Sequence, residues 1–89
     1  MDRGQTAADP GADRQDAELI RAIGEALFGA RWRSEMADYL DVNDRTVRRW
    51  LAAHDAPRAG VWHDLERLLE ERAAIQRDLL ARLRRRNGE

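Results

Sequence analysis

Apolar residues recur every three or four positions along most of the chain, which is the spacing of one face of an α-helix. Four stretches follow this pattern, and the sequence therefore predicts helices over residues 16–28, 33 or 34 to 40, 44–53 and 61–86. No stretch alternates apolar and polar residues long enough to predict a strand. The fold class expected is all-α: a compact four-helix domain with a long last helix.

Local signals place the ends of these helices. Asp16 and Asn43 are suitable N-caps for the first and third helices. Gly29 follows the end of the first helix, and Asn87-Gly88 ends the last one. Residues 1–15 contain Pro10 and two glycines and no large apolar residue after Met1, so they are predicted to form a disordered arm.

The last predicted helix is too long to pack along its whole length against a domain of this size. Residues 16–72 are predicted to form the folded domain, and residues 73–89 a helical extension that serves as a dimerisation element. The apolar positions expected at a seam between two copies are Leu68, Ile75, Leu79 and Leu83. Arg72 lies on the same seam and argues against a tight coiled coil. A frayed extension, or one folded back on its own domain, is the alternative.

Composition limits the function classes. The chain has 89 residues, no cysteine and a net charge of −1. It therefore lacks a disulfide framework and thiolate metal ligands, which suits a reducing cytoplasm. No apolar run is long enough to span a bilayer, and the amino terminus lacks the apolar stretch of a secretory signal. All 16 basic residues are arginine, so a claim of nucleic-acid binding depends on where they lie.

The second and third predicted helices have the spacing of a helix-turn-helix. With Arg33 as the first position, this motif needs a small residue fifth, where the chain has Ala37. It needs apolar residues at the fourth, eighth, tenth, fifteenth and eighteenth positions, which hold Met36, Leu40, Val42, Val47 and Trp50. The ninth position usually holds glycine with a positive φ. Here it is Asp41, one of the few other residues that tolerate that conformation.

The segments 29–37 and 40–50, followed by Val61-Trp62-His63-Asp64-Leu65, resemble small bacterial and phage helix-turn-helix proteins of the Cro/repressor-like class. The resemblance covers about residues 19–72, and Met36 and Asp41 depart from the leucine and glycine of that pattern. It implies a regulator of transcription that binds double-stranded DNA with the third helix in the major groove, most often as a repressor.

Helix geometry turns the third helix so that Val47, Trp50 and Leu51 face inward, while its three arginines remain outside. The residues expected to contact bases are Asn43, Asp44, Arg45 and Arg48, with Asp44 either orienting Arg48 or accepting a hydrogen bond from cytosine. The residues expected to contact phosphates are Arg31, Arg33, Ser34, Thr46, Arg49 and Arg58. Trp32, Trp50 and Trp62 are expected in the core.

Other functions have less support. His54 and His63 have no recognised metal-ligand spacing, and no catalytic constellation or phosphate-binding glycine loop is present. We therefore expect no metal, cofactor, small-molecule ligand, membrane partner or enzymatic activity. The expected partners are duplex DNA and a second copy of the chain. The alternative is a protein-interaction module, such as an antitoxin or a phage adaptor, that acts through its last helix.

Overall fold

The computed structural model describes residues 10–88, with side chains from residue 14 onward. Its helices are α1 (Pro10–Phe28), α2 (Trp32–Leu40), α3 (Asp44–Leu51) and α4 (Ala59–Arg86), and a 3-10 turn (Gly29–Arg31) joins α1 to α2. No strand occurs within these residues, so the predicted all-α class is confirmed. None of these helices combines the length and apolar character needed to cross a bilayer.

The first helix begins earlier than predicted. Residues 1–9 of the predicted arm lie outside the described residues, but residues 10–15 belong to α1. The helix begins early because Pro10 occupies its first position, where the missing N–H and the fixed φ of proline carry no free-energy penalty. Asp16 consequently lies within α1 and does not cap it. The predicted end at Phe28 is confirmed, and Gly29 follows it with a φ of +79°.

The core lies where α1, α2 and α3 meet the first half of α4. Its fully buried side chains are one from each helix: Ile20, Met36, Val47 and Leu65. Trp32 and Trp50 complete it, as the sequence predicts, whereas Trp62 is only partly buried and packs against this cluster. Each large apolar side chain that is buried in this way stabilises the fold by about 1.5–3 kcal/mol.

Trp32 sets the distance between α1 and α2. Its indole lies directly against the backbone of Gly24, so that a Cβ atom added at Gly24 would overlap three ring atoms. Gly24 is buried in the middle of α1, where glycine costs helix propensity. The close approach of the ring explains why glycine is tolerated there.

The helices α2 and α3 end in the same way, each with a residue in the left-handed region. Asp41 has a φ of 57°, as its place in the motif predicts, and Ala53 has a φ of 60°. After α3, the N–H of Ala53 donates to the carbonyl of Trp50 and the N–H of His54 donates to that of Arg49, both at 3.0 Å. This is the Schellman arrangement. It ends α3 at Leu51, before the predicted boundary at residue 53.

The long helix α4 packs through its first half only. Its 28 residues span about 42 Å, and every residue from 74 to 88 is exposed. Leu68 is buried in the protein's own fold and is not available to a partner, which corrects its predicted place on a dimer seam. The helical phase explains this, because Leu68 shares the inner face with Leu65. The neighbouring Leu69 is exposed.

Replacement of Gly24 by alanine is expected to lower the free energy of unfolding by about 1–3 kcal/mol, since the new methyl group overlaps the buried indole of Trp32. Urea denaturation measures the change. Gly60→Ala is the matched control, because a Cβ atom there meets nothing within 4 Å. Equal stability of both variants would show that the contact between Gly24 and Trp32 is not tight.

Ala53→Gly is expected to raise the free energy of unfolding by about 0.5–1 kcal/mol, because glycine adopts a positive φ without a steric penalty. Ala52→Gly is the control: Ala52 has a φ of −86°, so glycine there brings no relief. Thermal unfolding of the two variants should shift in opposite directions. A lower melting temperature for Ala53→Gly would contradict the prediction.

Candidate nucleic-acid interface

The exposed side of α3 carries three arginines because the opposite side is held in the core. Val47 and Trp50 are buried, whereas Arg45, Arg48 and Arg49 are exposed. This is the orientation that the helical periodicity predicts. An eight-residue helix with an inner face anchored by a valine and a tryptophan cannot rotate without exposing them to water.

The start of α3 is fixed by a side-chain cap. Asn43 is extended, with φ −76° and ψ 146°, and its Oδ1 accepts a hydrogen bond from the backbone N–H of Arg45 at 2.7 Å. The predicted capping role of Asn43 is therefore confirmed. The cap uses one lone pair of its carboxamide oxygen and leaves the NH₂ group free to donate to a base.

Asp44 and Arg48 form the ion pair that their spacing predicts. Nη2 of Arg48 lies 3.4 Å from Oδ2 of Asp44, and both side chains are partly exposed. The other carboxylate oxygen, Oδ1, is shielded from solvent and has no hydrogen-bond partner among the described residues. Asp44 therefore restrains the guanidinium of Arg48 next to the first turn of α3.

A cleft of about 550 Å³ lies on this side of α3. It brings together Arg33 and Ser34 from the start of α2, Asp44 and Arg48 from α3, and Arg21 from α1. The guanidinium carbon of Arg33 stands 5.4 Å from the ring centroid of Trp32, a cation–π contact that restrains it at the start of α2. Three arginines converging on one cleft give it the charge that attracts an anion.

Arg21 was missed by the sequence reasoning. It lies outside the helix-turn-helix spacing, and nothing in α1 alone distinguishes it from other exposed polar residues. Its position depends on how α1 packs against α2 and α3, which is tertiary information.

A second cleft, of about 770 Å³, lies on the other side of α3. Asn43, Thr46 and Arg58 line it, together with Asp41 and Asp55. The predicted phosphate contacts are thus divided between the two sides of α3. Between the two clefts, α3 forms a ridge along Arg45 and Arg49, which we call the α3 ridge. Arg31, in the 3-10 turn, lines neither cleft.

Arg49 is already paired within the protein. Its Nε lies 2.5 Å from Oδ2 of Asp55, in the loop after α3. The hydrogen bond from Arg49 holds the pKa of Asp55 below its usual range, and Asp55 in turn raises the pKa of Arg49. A phosphate that approaches Arg49 must compete with this carboxylate or share the guanidinium with it.

The histidines are separated and their surroundings differ. His63 lies 3.9 Å from Glu66 on α4, and His54 is in the loop after α3. No group of three or more residues suited to metal binding occurs in the described part of the chain.

No protein-family model, curated protein or solved structure matches this chain.

Replacing Arg49 by glutamine is expected to raise the pKa of Asp55 toward its ordinary value, because the hydrogen bond that favours the carboxylate is lost. A pH titration followed by NMR at the Asp55 carboxyl carbon measures this pKa. Arg67→Gln, at an exposed pair on α4, is the control and should leave it unchanged.

The lowered pKa of Asp55 also makes the free energy of unfolding depend on pH. The pKa of Asp55 is lower in the folded state, so the pair contributes stability above the unfolded pKa, and that contribution is lost as the pH falls through the folded value. An unchanged titration of Asp55 in Arg49→Gln would contradict the pairing.

Proposed function

We propose that this protein is a sequence-specific regulator that binds double-stranded DNA with the α3 ridge in the major groove. The observation that carries the proposal is the shape and charge of this surface. A convex helix stands between two clefts and projects arginines outward, although the chain as a whole has a net charge of −1. The major groove of B-DNA accepts an α-helix, and the two phosphate backbones form its walls.

The clefts support a division of roles. Arg45 and Arg48 lie near the amino-terminal end of α3, the end that meets base edges in helix-turn-helix docking. Arginine recognises guanine through two parallel hydrogen bonds, and the Asp44 pair limits the directions in which Arg48 can reach. We propose Arg45 and Arg48 as base contacts, with Asn43 and Asp44 beside them.

Phosphate contacts are proposed on both sides of the ridge. On one side, Arg33 and Ser34 open α2, which has no side-chain cap, and Arg21 adds a third arginine. Backbone N–H groups at such a start favour an anion, and the arginines supply the charge. On the other side lie Thr46 and Arg58. Arg31 and Arg49 extend this set, with Arg49 in competition with Asp55.

The remaining parts of the proposal concern assembly and role. The exposed second half of α4 suits a homodimer, and two copies of α3 would read a two-fold symmetric site. Such a protein acts on the nucleoid in the cytoplasm of a prokaryote, most simply as a repressor that blocks a promoter. Binding of this kind needs no metal or organic cofactor.

A second candidate is a protein-interaction module of the antitoxin or adaptor type. The exposed apolar side chains of α4, Ile75, Leu79, Leu80 and Leu83, favour it if they remain unpaired in solution. The two functions differ in a simple measurement. A regulator binds duplex DNA by itself, whereas the module does so weakly or not at all until its protein partner is present.

Arg45→Ala and Arg48→Ala are each expected to weaken specific binding by about 1–3 kcal/mol and to relax preference at one base pair. Arg33→Ala should weaken binding to all sequences alike and reduce the slope of log affinity against log salt concentration by about one. Fluorescence anisotropy at several salt concentrations, with a selected duplex and single-base variants of it, separates the two effects.

Arg67→Ala is the matched control, since it removes the same charge from an exposed position on α4 that lines neither cleft. Its base preference should equal that of the wild type. Unchanged base preference in both Arg45→Ala and Arg48→Ala would refute the assignment of α3, and no binding by the wild type even at low salt would refute the proposed function.

A further inference from the structure

An apolar groove lies between α1 and α4, on a different face from the α3 ridge. It has a volume of about 350 Å³, and its apolar lining consists of Leu19, Ile23, Trp62, Leu65 and Leu69. Glu66 and Glu70 also line it, both from α4. Leu19, on the α1 side of the groove, is 49% exposed. We call this feature the α1/α4 groove.

The second half of the same helix supplies a matching surface. Leu79, Leu80 and Leu83 form an apolar stripe with Ile75, and each of these side chains is about half exposed. Helical spacing places the stripe on the side of α4 that continues Leu65 and Leu69. One chain therefore carries both an apolar groove and an unpaired apolar helix.

Charge decides how the two surfaces fit together. Residues 63–71 of α4 contain four carboxylates and one arginine, whereas residues 72–86 contain six arginines and one aspartate. Within the described residues, neither Glu70 nor the arginines at 84–86 take part in an ion pair. Two copies of α4 in parallel would place both basic halves side by side. In an antiparallel pair, each basic half lies beside the acidic half of the other copy.

Arg72 favours the same arrangement. It lies in the stripe between Leu68 and Ile75, one heptad after Leu65. A parallel, in-register pair would bring the two Arg72 side chains together at the seam, where like charges repel. An antiparallel pair places each Arg72 opposite a different residue.

We infer that two copies dimerise by reciprocal, antiparallel docking, in which residues 75–86 of each chain bind the α1/α4 groove of the other. The leucines of the stripe cover Leu19, Trp62 and Leu69. Arg84 approaches Glu66 of the other copy, and Arg77 approaches its Glu70. Each surface is used once per chain, so the arrangement is closed and two-fold symmetric. This inference rests on the homodimer included in the proposed function, and it specifies its interface.

The arrangement has a consequence for distance. If Leu79 to Leu83 lie opposite Leu65 to Leu69, the two helices cross near position 74, and each Arg72 lies opposite Gln76 of the other copy. The two Leu65 positions are then about 27 Å apart along the helix axes, at 1.5 Å per residue. A sideways offset of about 10 Å between the helices brings this distance to about 29 Å.

Spin labels test the direction of pairing in the full chain. The chain has no cysteine, so Asn87→Cys and Ala73→Cys each create one attachment site. Antiparallel docking predicts about 40 Å between the two copies of position 87. At position 73, which lies on the flank of the seam near the crossing, it predicts a distance near the helix spacing of about 10 Å, lengthened by the labels. Double electron–electron resonance measures the long distance, and line broadening in continuous-wave spectra detects the short one. Short distances at both positions would overturn the inference. It would also be overturned if both labelled variants were monomers.

Charge reversal tests the contacts. The double variant E66R/E70R is expected to weaken self-association by about tenfold or more, because four attractive positions in the dimer become repulsive. Adding R77E and R84E to the same chain should restore it, because Arg84 and Arg77 lie on the same flank of α4 as Glu66 and Glu70 and come beside them in this register. The control E18R/E25R makes the same change in charge on the opposite side of α1, and its self-association should match the wild type. Sedimentation velocity measures all three, and a failure of the four-residue variant to recover would contradict the proposed pairing.

The same samples separate this inference from the proposed function. Each copy of α3 contacts its own half-site, so single half-site duplexes should still bind E66R/E70R with the wild-type base preference. Loss of the antiparallel distances with intact half-site binding would overturn the interface alone. Absence of DNA binding together with the predicted distances would overturn the proposed function alone.

Discussion

The burial of Val47 and Trp50 is the constraint on which the rest of the interface depends. These two side chains lie in one cluster with Ile20, Met36 and Trp32, so α1 and α2 both hold the same face of α3. Exposing either side chain would cost a large part of the stability of so small a domain. The outward direction of Arg45, Arg48 and Arg49 is therefore imposed by the core, and the repulsion among these arginines does not alter it.

Both ends of α3 are fixed by capping hydrogen bonds and by backbone conformation, in addition to side-chain packing. Asn43 caps the first turn, and the left-handed residues Asp41 and Ala53 turn the chain sharply before and after the helix. The short turn between α2 and α3 brings the start of α2 to the same cleft as the start of α3. Arg33 and Arg48 consequently line the same cleft although they are 15 positions apart in the sequence.

The sequence predicts much of this arrangement because helical periodicity and caps are local signals. The carboxyl-terminal ends of α1, α2 and α4 follow from these local signals. The inner face of α3 follows from them as well. Pro10 and its neighbouring glycine predict a break, but Pro10 is the first residue of α1. Alanine rarely adopts a positive φ, so the sequence does not predict the left-handed conformation of Ala53. Arg21 and Leu68 illustrate the harder part. Whether such residues face a cleft, the core or solvent depends on how two helices pack, which a single pattern along the chain does not encode.

The two halves of α4 serve different purposes, since the first completes the core and the second remains exposed. In the proposed function, the α3 ridge contacts DNA and this exposed half pairs two copies of the chain. Selection of bound sequences from a random duplex library, with the full chain in dilute salt, tests this claim most directly. The account predicts enrichment of a two-fold symmetric motif with half-sites centred about 10 base pairs apart. A recovered pool with the same composition as the starting library would contradict it.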